Sequence, residues 1–237
     1  MKKLLKSLAG LLGYEIARKD VKGAYEHDID PAFFAAYEWC KPHTKLSRER
    51  MLANWNAVKH VEKNGIVGDI VECGVWAGGS AMLMAIASGS RVTWLYDTYA
   101  GITEPTDWET SDVTGGRIPD AWKKKPNWMA CDLECVRENL RDVEHLARFV
   151  KGDVRKTIPR EAPERIAVMR LDMDIHAPTA HALEHLYPRL ESGGVIIVDD
   201  YGNWSGVRRA VDDYFGRNGV RMYLHRIDSG ARIGTKP

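Results

Sequence analysis

Short apolar runs rich in β-branched residues recur along the chain from residue 69 onward, and amphipathic segments of helical period separate them. Runs of this length predict buried strands, and their alternation with helices predicts an α/β fold with a mostly parallel sheet covered by helices on both faces. The predicted parallel strands are residues 69–73, 92–96, 147–150, 166–171 and 195–198.

The C-terminal part follows a different pattern. Residues 220–227 and 231–234 are extended runs joined by the turn residues Asp228, Ser229 and Gly230, which predicts an antiparallel hairpin and a sheet of seven strands. A parallel sheet that ends in such a hairpin is the Rossmann-like arrangement of many S-adenosylmethionine-dependent methyltransferases.

Residues 1–64 are predicted to form a helical preface, or cap, before a main domain at residues 65–237. Within it, residues 4–16 carry an apolar helical stripe, with lysines at positions 2, 3 and 6 at its start. We expect this stripe to pack on the body or on a partner subunit, with peripheral contact to a membrane surface as the alternative. A homo-oligomer is therefore expected.

The bulk composition excludes some classes of protein. A formal net charge of +1 argues against a nucleic-acid partner that is held through its phosphates. No apolar run reaches the ~20 residues that cross a bilayer, so no transmembrane segment is expected. The four cysteines lack CxxC pairing, which indicates reduced thiols and a cytoplasmic protein.

A long irregular segment at residues 101 to about 130 interrupts the alternation of strands and helices. It contains Trp108, Trp122 and Trp128. Loops of this length are usually functional or disordered, and aromatic residues disfavour disorder. The segment is interpreted as a lid over a substrate, with a plain surface excursion as an equal alternative.

The first strand leads into a glycine turn. Glu72 ends the strand, Gly74, Gly78 and Gly79 form the turn, and Ser80 is placed to cap the next helix. A strand, a glycine turn and a helix bind nucleotide-like cofactors, because glycine lets the ligand approach the backbone. A carboxylate beside the turn suits S-adenosylmethionine, which has ribose hydroxyls and a cationic amino-acid end.

Two further acidic residues follow strands and are assigned to the same cofactor. Asp97 follows the second strand, where a carboxylate can accept both ribose hydroxyls. Asp153 follows the third strand and is a candidate partner for the adenine amino group, or else a turn residue.

Four aspartates follow the last two parallel strands: Asp172 and Asp174 after one, Asp199 and Asp200 after the other. Strand ends of a parallel sheet converge at one edge, so these carboxylates would repel each other without a cation. Oxygen ligands suit Mg²⁺, although one or two of the aspartates could merely cap helices. Asp174 and His176 are the candidate bases for removing a proton from an acceptor hydroxyl.

Five ordered motifs resemble the macrocin O-methyltransferase family, whose class I, metal-dependent members methylate sugar hydroxyls on macrolides and related natural products. The motifs begin at Asp69 (DIVECGVWAGGS), Tyr96 (YDTYAG), Leu171 (LDMD), Val198 (VDDYG) and Arg209 (RAVDD). The resemblance implies S-adenosylmethionine bound by Glu72, Gly74 and Asp97. It also implies Mg²⁺ held by Asp172, Asp199 and Asp200, with Asp174 as a candidate base.

The chain departs from the family after the first acidic strand end. The family commonly has Asp-Gly-Asp-Leu-Tyr-Glu-Ser-Thr, whereas this chain has Asp172-Met-Asp-Ile-His-Ala-Pro-Thr179. Both aspartates remain, so metal binding is expected to persist, and His176 either shares the role of base or only lines the pocket. A nearby H-x-x-E-H pattern, His181 to His185, matches a zinc-peptidase signature but lies on a helix expected to pack on the sheet.

These features together predict an S-adenosylmethionine- and Mg²⁺-dependent O-methyltransferase. The expected acceptor is a sugar hydroxyl of a glycosylated natural product or a polysaccharide. A small catechol-like acceptor is the alternative within this class of enzyme. A non-catalytic S-adenosylmethionine-binding protein is the alternative outside it.

Overall fold

The computed structural model describes residues 27–125, 127–158 and 160–237. Contacts divide the chain into two compact units, Met1–Pro31 and Ala32–Pro237, and the features below belong to the second unit, apart from Pro31 at the start of the first helix. The predicted N-terminal apolar stripe lies outside the described residues. Its packing, the membrane contact and the self-association therefore stay predictions.

Helices and strands alternate through the described part of the chain. The helices are α1 (Pro31–Cys40), α2 (Arg48–Lys63), α3 (Gly79–Ser88), α4 (Ile118–Lys124), α5 (Leu133–Leu140), α6 (Val154–Thr157), α7 (His176–Leu186) and α8 (Ser205–Arg217). The strands are β1 (Asp69–Cys73), β2 (Thr93–Asp97), β3 (Ala147–Lys151), β4 (Ile166–Leu171), β5 (Leu190–Val198), β6 (His225–Arg226) and β7 (Arg232–Thr235).

The seven strands form one sheet in the order β3-β2-β1-β4-β5-β7-β6. The first five strands are parallel, β7 runs antiparallel to β5, and β6 runs antiparallel to β7. The α/β prediction with a C-terminal antiparallel hairpin is confirmed. Cys73 at the end of β1 pairs with Tyr96 on one side and Leu171 on the other, so the strands end in register at one edge.

Strand boundaries differ from the sequence prediction mainly at the C-terminus. β5 begins at Leu190 rather than at residue 195. It passes through two glycines because the Gly193 N–H donates to the Lys236 carbonyl and the Lys236 N–H donates to the Gly194 carbonyl. The first arm of the hairpin is shorter than predicted, since residues 220–224 form no strand before β6.

Apolar side chains of the central strands fill the core. All six residues of β4 are buried. Leu183 and Leu186 of α7 and Val211 of α8 join strand residues in one core cluster. Trp55 and Val58 of α2 are also buried. Helices and strands thus share one apolar core, which holds the central sheet in place. The sheet in turn positions the residues that follow its strands.

The segment at residues 101–130 is more regular than the sequence predicts. It contains α4 and two isolated β-bridges, Thr110 to Arg117 and Ser111 to Trp204. The second bridge joins the segment to the loop after β5. Its role as a lid stays a prediction. Among the described residues, no helix combines the length and the apolar character needed to cross a membrane.

Candidate functional site

The turn after β1 is held in place by Asp97 at the end of β2. The backbone N–H groups of Val75 and Trp76 donate to Asp97 Oδ2 at 2.7 and 3.1 Å, and the Tyr99 N–H donates to Oδ1 at 2.8 Å. Burial raises the pKa of Asp97, and these backbone donors oppose the rise. Asp97 therefore fixes the turn, and these three donors leave about one of the roughly four acceptor sites of its carboxylate free.

The glycines of this turn allow the chain to pack closely against itself. A Cβ on Gly74 would lie 1.8 Å from the Asp172 carbonyl oxygen, at a backbone φ of +88°. A Cβ on Gly79 would lie 2.7 Å from the backbone of Cys40 and His43, and one on Gly78 would strike the Leu140 side chain. Contact with the protein's own backbone thus accounts for Gly74 and Gly79 before any ligand is considered.

Glu72 and Ser80 lie behind the turn in a buried polar cluster. Ser80 does not cap α3, because Gly78 holds the N-cap position, and its hydroxyl donates to Glu72 Oε1 instead. Arg170 of β4 donates to the same oxygen at 2.7 Å, while burial raises the pKa of Glu72 to about 7. The assignment of Glu72 and Ser80 to the cofactor stays a prediction.

A cleft opens at the carboxyl edge of β1 to β4, with about 650 Å³ of empty space when the open solvent at its mouth is included. Its lining is Gly74, Trp76, Tyr96, Asp97, Thr98, Gly101, Ile102, Thr103, Met129, Gly152, Asp153, Val154, Asp172, Met173, Asp174 and Pro178. Three of the predicted cofactor residues, Gly74, Asp97 and Asp153, are among them. The other predicted cofactor residues, all in the described part of the chain, lie outside this lining: Glu72, Gly78, Gly79 and Ser80.

Asp153 both lines the cleft and begins a helix. It is the N-cap of α6 and accepts the Arg155 N–H at 2.9 Å. The Arg155 guanidinium also binds it and lowers its pKa. Asp153 therefore has a local role as a helix N-cap, and its assignment to the adenine amino group stays a prediction.

Three aspartates converge after β4 and β5, as the sequence predicts. Asp172, Asp199 and Asp200 each offer a carboxylate oxygen, and these oxygens lie within 4.8 Å of one another. Among the described residues they are the one group of acidic, histidine or cysteine side chains that could hold a metal ion. Oxygen donors of this kind fit a hard divalent cation such as Mg²⁺.

Two arginines that the sequence analysis did not identify neutralise part of this acidic cluster. Arg170 is 1% exposed and binds Asp172 at 3.0 Å and Asp199 at 2.6 Å. Arg50 of α2 binds the other oxygen of Asp199 and also forms a two-bond ion pair with Asp228 of the hairpin turn. The arginine within the apolar run of β4 was a usable signal, since a buried arginine needs carboxylate partners.

Negative charge remains in excess in the cluster. Burial, with the Asp172 charge added, raises the pKa of Asp199 to about 6. Burial and the Asp174 charge raise the pKa of Asp200 well above its ordinary value. These carboxylates therefore favour an additional cation or a shared proton, so the residues present fit a divalent metal.

The two candidate bases lie in different surroundings. Asp174 lines the cleft and hydrogen-bonds with Asp200 and Trp204, while burial and the Asp172 charge raise its pKa to about 7. The His176 ring lies 5.2 Å from the Trp108 ring, and burial lowers its pKa. Asp174 thus adjoins the metal candidates, and His176 faces the 101–130 segment.

Glu109 is a buried acidic residue that no pattern in the sequence indicates. It is 0% exposed and accepts the Thr106 N–H at 2.9 Å, the Thr106 hydroxyl at 2.7 Å and the His176 N–H at 2.8 Å. A Cβ on Gly206 of α8 would lie 2.1 Å from its Oε2. Glu109 therefore fastens the 101–130 segment to the first turns of α7 and α8, where helix dipoles favour a carboxylate.

Further contacts attach the same segment to the loop after β5. The Ser205 N–H donates to the Thr110 carbonyl at 3.1 Å, and the Asp112 N–H donates to the Asn203 carbonyl at 2.8 Å. The rings of Trp128 and Trp204 meet edge to face at 5.9 Å. The segment thus adjoins Trp204, which hydrogen-bonds with Asp174.

The H-x-x-E-H pattern forms no metal centre with a third ligand among the described residues. Its two histidine rings, His181 and His185, lie 4.3 Å apart on α7. Leu183 and Leu186 of the same helix are buried in the core cluster. The expectation that this helix packs on the sheet is confirmed.

Comparison with known proteins gives consistent matches. A family model described as "Macrocin-O-methyltransferase" matches residues 32–233. A Streptomyces olivaceus protein, 8-demethyl-8-(2,3-dimethoxy-alpha-L-rhamnosyl)-tetracenomycin-C 4'-O-methyltransferase, is 34% identical over 86% of this chain and 79% of its own. A Streptomyces niveus protein, demethyldecarbamoylnovobiocin O-methyltransferase, is 32% identical over 78% of this chain and 72% of its own. The solved structure of the O-methyltransferase NovP has a TM-score of 0.74 and 30% identity, with 82% of each chain covered.

Proposed function

Because this chain belongs to the macrocin O-methyltransferase family, we propose that it methylates a sugar hydroxyl of a glycosylated natural product or polysaccharide. The methyl donor is S-adenosylmethionine, and Mg²⁺ is the metal. The match to the family model and to the two Streptomyces proteins confirms the resemblance inferred from the motifs, and the chain is an O-methyltransferase.

The observation that carries this proposal is the meeting of a cleft and an acidic cluster at one sheet edge. Asp97 and Asp153 line the cleft beyond β2 and β3, whereas Asp172 lines it beyond β4 and also belongs to the metal-binding candidates. A donor bound along the strand ends would therefore present its methyl group beside the cluster. This arrangement supplies the proximity that methyl transfer needs.

The acceptor chemistry follows from the cluster. Asp172, Asp199 and Asp200 would hold the metal, and a bound divalent cation would lower the pKa of an acceptor hydroxyl. Arg170 orients Asp172 and Asp199 through its hydrogen bonds to both. As the acceptor oxygen bonds to the methyl carbon, the bond from that carbon to the sulfonium sulfur breaks and S-adenosylhomocysteine is the leaving group. The acceptor proton passes to Asp174, which lines the cleft two residues from Asp172.

The relatives support a sugar acceptor over a small catechol. The Streptomyces olivaceus protein is named for methylation at the 4' position of a rhamnosyl-bearing tetracenomycin. The tryptophan-bearing segment next to Asp174 favours a bulky acceptor with an apolar face. Trp108 of this segment is 42% exposed, so its ring can contact such a face.

The test measures transfer of a labelled methyl group from S-adenosylmethionine to a panel of deoxysugar glycosides. Transfer should require Mg²⁺, stop after chelation and return when Mg²⁺ is restored. Asp199→Ala should reduce transfer at least a hundredfold and leave S-adenosylhomocysteine affinity within twofold, because Asp199 does not line the cleft. Asp142→Ala, a change at an exposed acid, is the matched control. Transfer that is indifferent to chelation and to Asp199→Ala would refute the metal-dependent mechanism.

A further inference from the structure

All the charged side chains that line the cleft are acidic. Asp97, Asp153, Asp172 and Asp174 border it, and none of the described lining residues has a cationic side chain. Those carboxylates suit the hydroxyls, the ammonium group and the sulfonium of S-adenosylmethionine. The cofactor's own carboxylate, however, would meet like charges there and needs a cation supplied from the rim.

Lys45 is a cation at the rim of this cleft. Its ammonium nitrogen lies 4.5 Å from the centre of the Trp76 ring and 3.2 Å from Met129 Sδ. Trp76 and Met129 both line the cleft. Lys45 is exposed, and no ion pair joins it to a carboxylate in the described part of the chain.

The backbone around Lys45 is held against the glycine turn. The 3-10 turn Lys41–His43 packs so closely on α3 that a Cβ on Gly79 would lie 2.7 Å from His43 backbone atoms. The two residues that flank Lys45 are hydrogen-bonded to each other: the Leu46 N–H donates to the Thr44 hydroxyl at 3.1 Å. The backbone position of Lys45, close to the turn that carries Trp76, is therefore set by the fold.

The order of the strands indicates which end of the cofactor reaches Lys45. The metal-binding candidates follow β4 and β5, so the methyl group must lie near them, and the nucleoside extends towards Asp97 and Asp153 after β2 and β3. The amino-acid end then lies beside the turn after β1, where Trp76 supports Lys45. We propose that Lys45 binds the carboxylate of S-adenosylmethionine, an inference that rests on the proposed cofactor.

The test compares two ligands that differ only in this carboxylate. They are S-adenosylhomocysteine and its decarboxylated analogue, S-adenosyl-3-thiopropylamine, and their affinities are measured by calorimetry on the full chain. Lys45→Met should weaken S-adenosylhomocysteine binding about tenfold, the size of a charge-assisted hydrogen bond at a partly exposed site. It should leave the analogue's affinity within twofold. Lys45→Arg should retain most of the affinity, and Lys63→Met, at the exposed end of α2, is the matched control.

Each outcome has a distinct meaning. Equal affinity of wild type and Lys45→Met for S-adenosylhomocysteine would overturn the role of Lys45 and leave the proposed function intact. An equal loss for both ligands would also overturn it, because a misplaced turn and not a lost charge would then be responsible. Failure of the wild-type protein to bind S-adenosylhomocysteine would overturn the proposed cofactor and this inference together.

Discussion

Replacing Glu109 by glutamine would remove a buried negative charge while keeping the size of the side chain. The carboxylate accepts two hydrogen bonds from Thr106 on Oε1 and one from the His176 N–H on Oε2. Glutamine has one acceptor oxygen, so its NH₂ group must face either the Thr106 donors or the His176 N–H. In both orientations a buried donor is left facing another donor.

The expected loss follows from those bonds. A hydrogen bond to a charged acceptor contributes about 1.5–3 kcal/mol, and an orphaned buried donor costs about 1–3 kcal/mol. Because the amide retains part of the bonding, we expect Glu109→Gln to lower the free energy of unfolding by about 2–4 kcal/mol. The KM for the acceptor should rise more than the KM for the methyl donor, since Glu109 attaches the tryptophan-bearing segment to α7.

Urea denaturation followed by far-ultraviolet circular dichroism measures the first quantity, and steady-state kinetics measure the second. Glu104→Gln is the matched control, because Glu104 is exposed in the same segment. The reasoning is refuted if the two variants have free energies of unfolding within about 0.5 kcal/mol of each other, the range of ordinary surface substitutions.

Two further predictions test the turn and the hairpin. Gly79→Ala should lower the free energy of unfolding by about 1–3 kcal/mol, because its Cβ would lie 2.7 Å from the Cys40 carbonyl oxygen. Gly216→Ala is the control, since a Cβ there meets open space and should not destabilise the protein. Equal melting temperatures of the two variants in thermal unfolding would contradict this prediction. Although burial opposes it, the hydrogen bond from Arg50 and the turn N–H groups lower the pKa of Asp228 from 3.8 to about 2. The folded pKa lies below the unfolded one, so the stability that Asp228 adds is complete above pH 4 and is lost as the pH falls towards 2. Asp228→Asn should therefore approach the wild type in urea unfolding over that range, and a constant difference would count against it.

The sequence predicted well the parallel strands that lead to the site, because the length of an apolar run indicates directly how much of the chain is buried. It also predicted that Asp172, Asp199 and Asp200 meet, since strand ends of a parallel sheet share an edge. The start of β5 was missed because Gly193 and Gly194 resemble a turn, whereas in the structure pairing with the chain near Lys236 carries the strand through them.

Residues that act across the chain were harder to predict. Arg50 lies 149 positions from Asp199, and Glu109 lies 67 positions from His176. No local pattern connects such pairs, since only the folded sheet brings them together. Ser80 was misread for the opposite reason: a local capping rule fitted it, and the tertiary contact with Glu72 prevailed.

The place of β1 in the middle of the sheet also affects how the protein is made. β1 pairs with β2 soon after it, but its other neighbour, β4, is synthesised about 100 residues later, which at ~5–20 residues per second takes ~5–20 s on the ribosome. Throughout that interval one edge of an apolar strand has unpaired N–H and carbonyl groups, which can recruit other chains. The period in which a nascent chain is most open to misassembly is therefore set by strand order, and not by the stability of the finished protein.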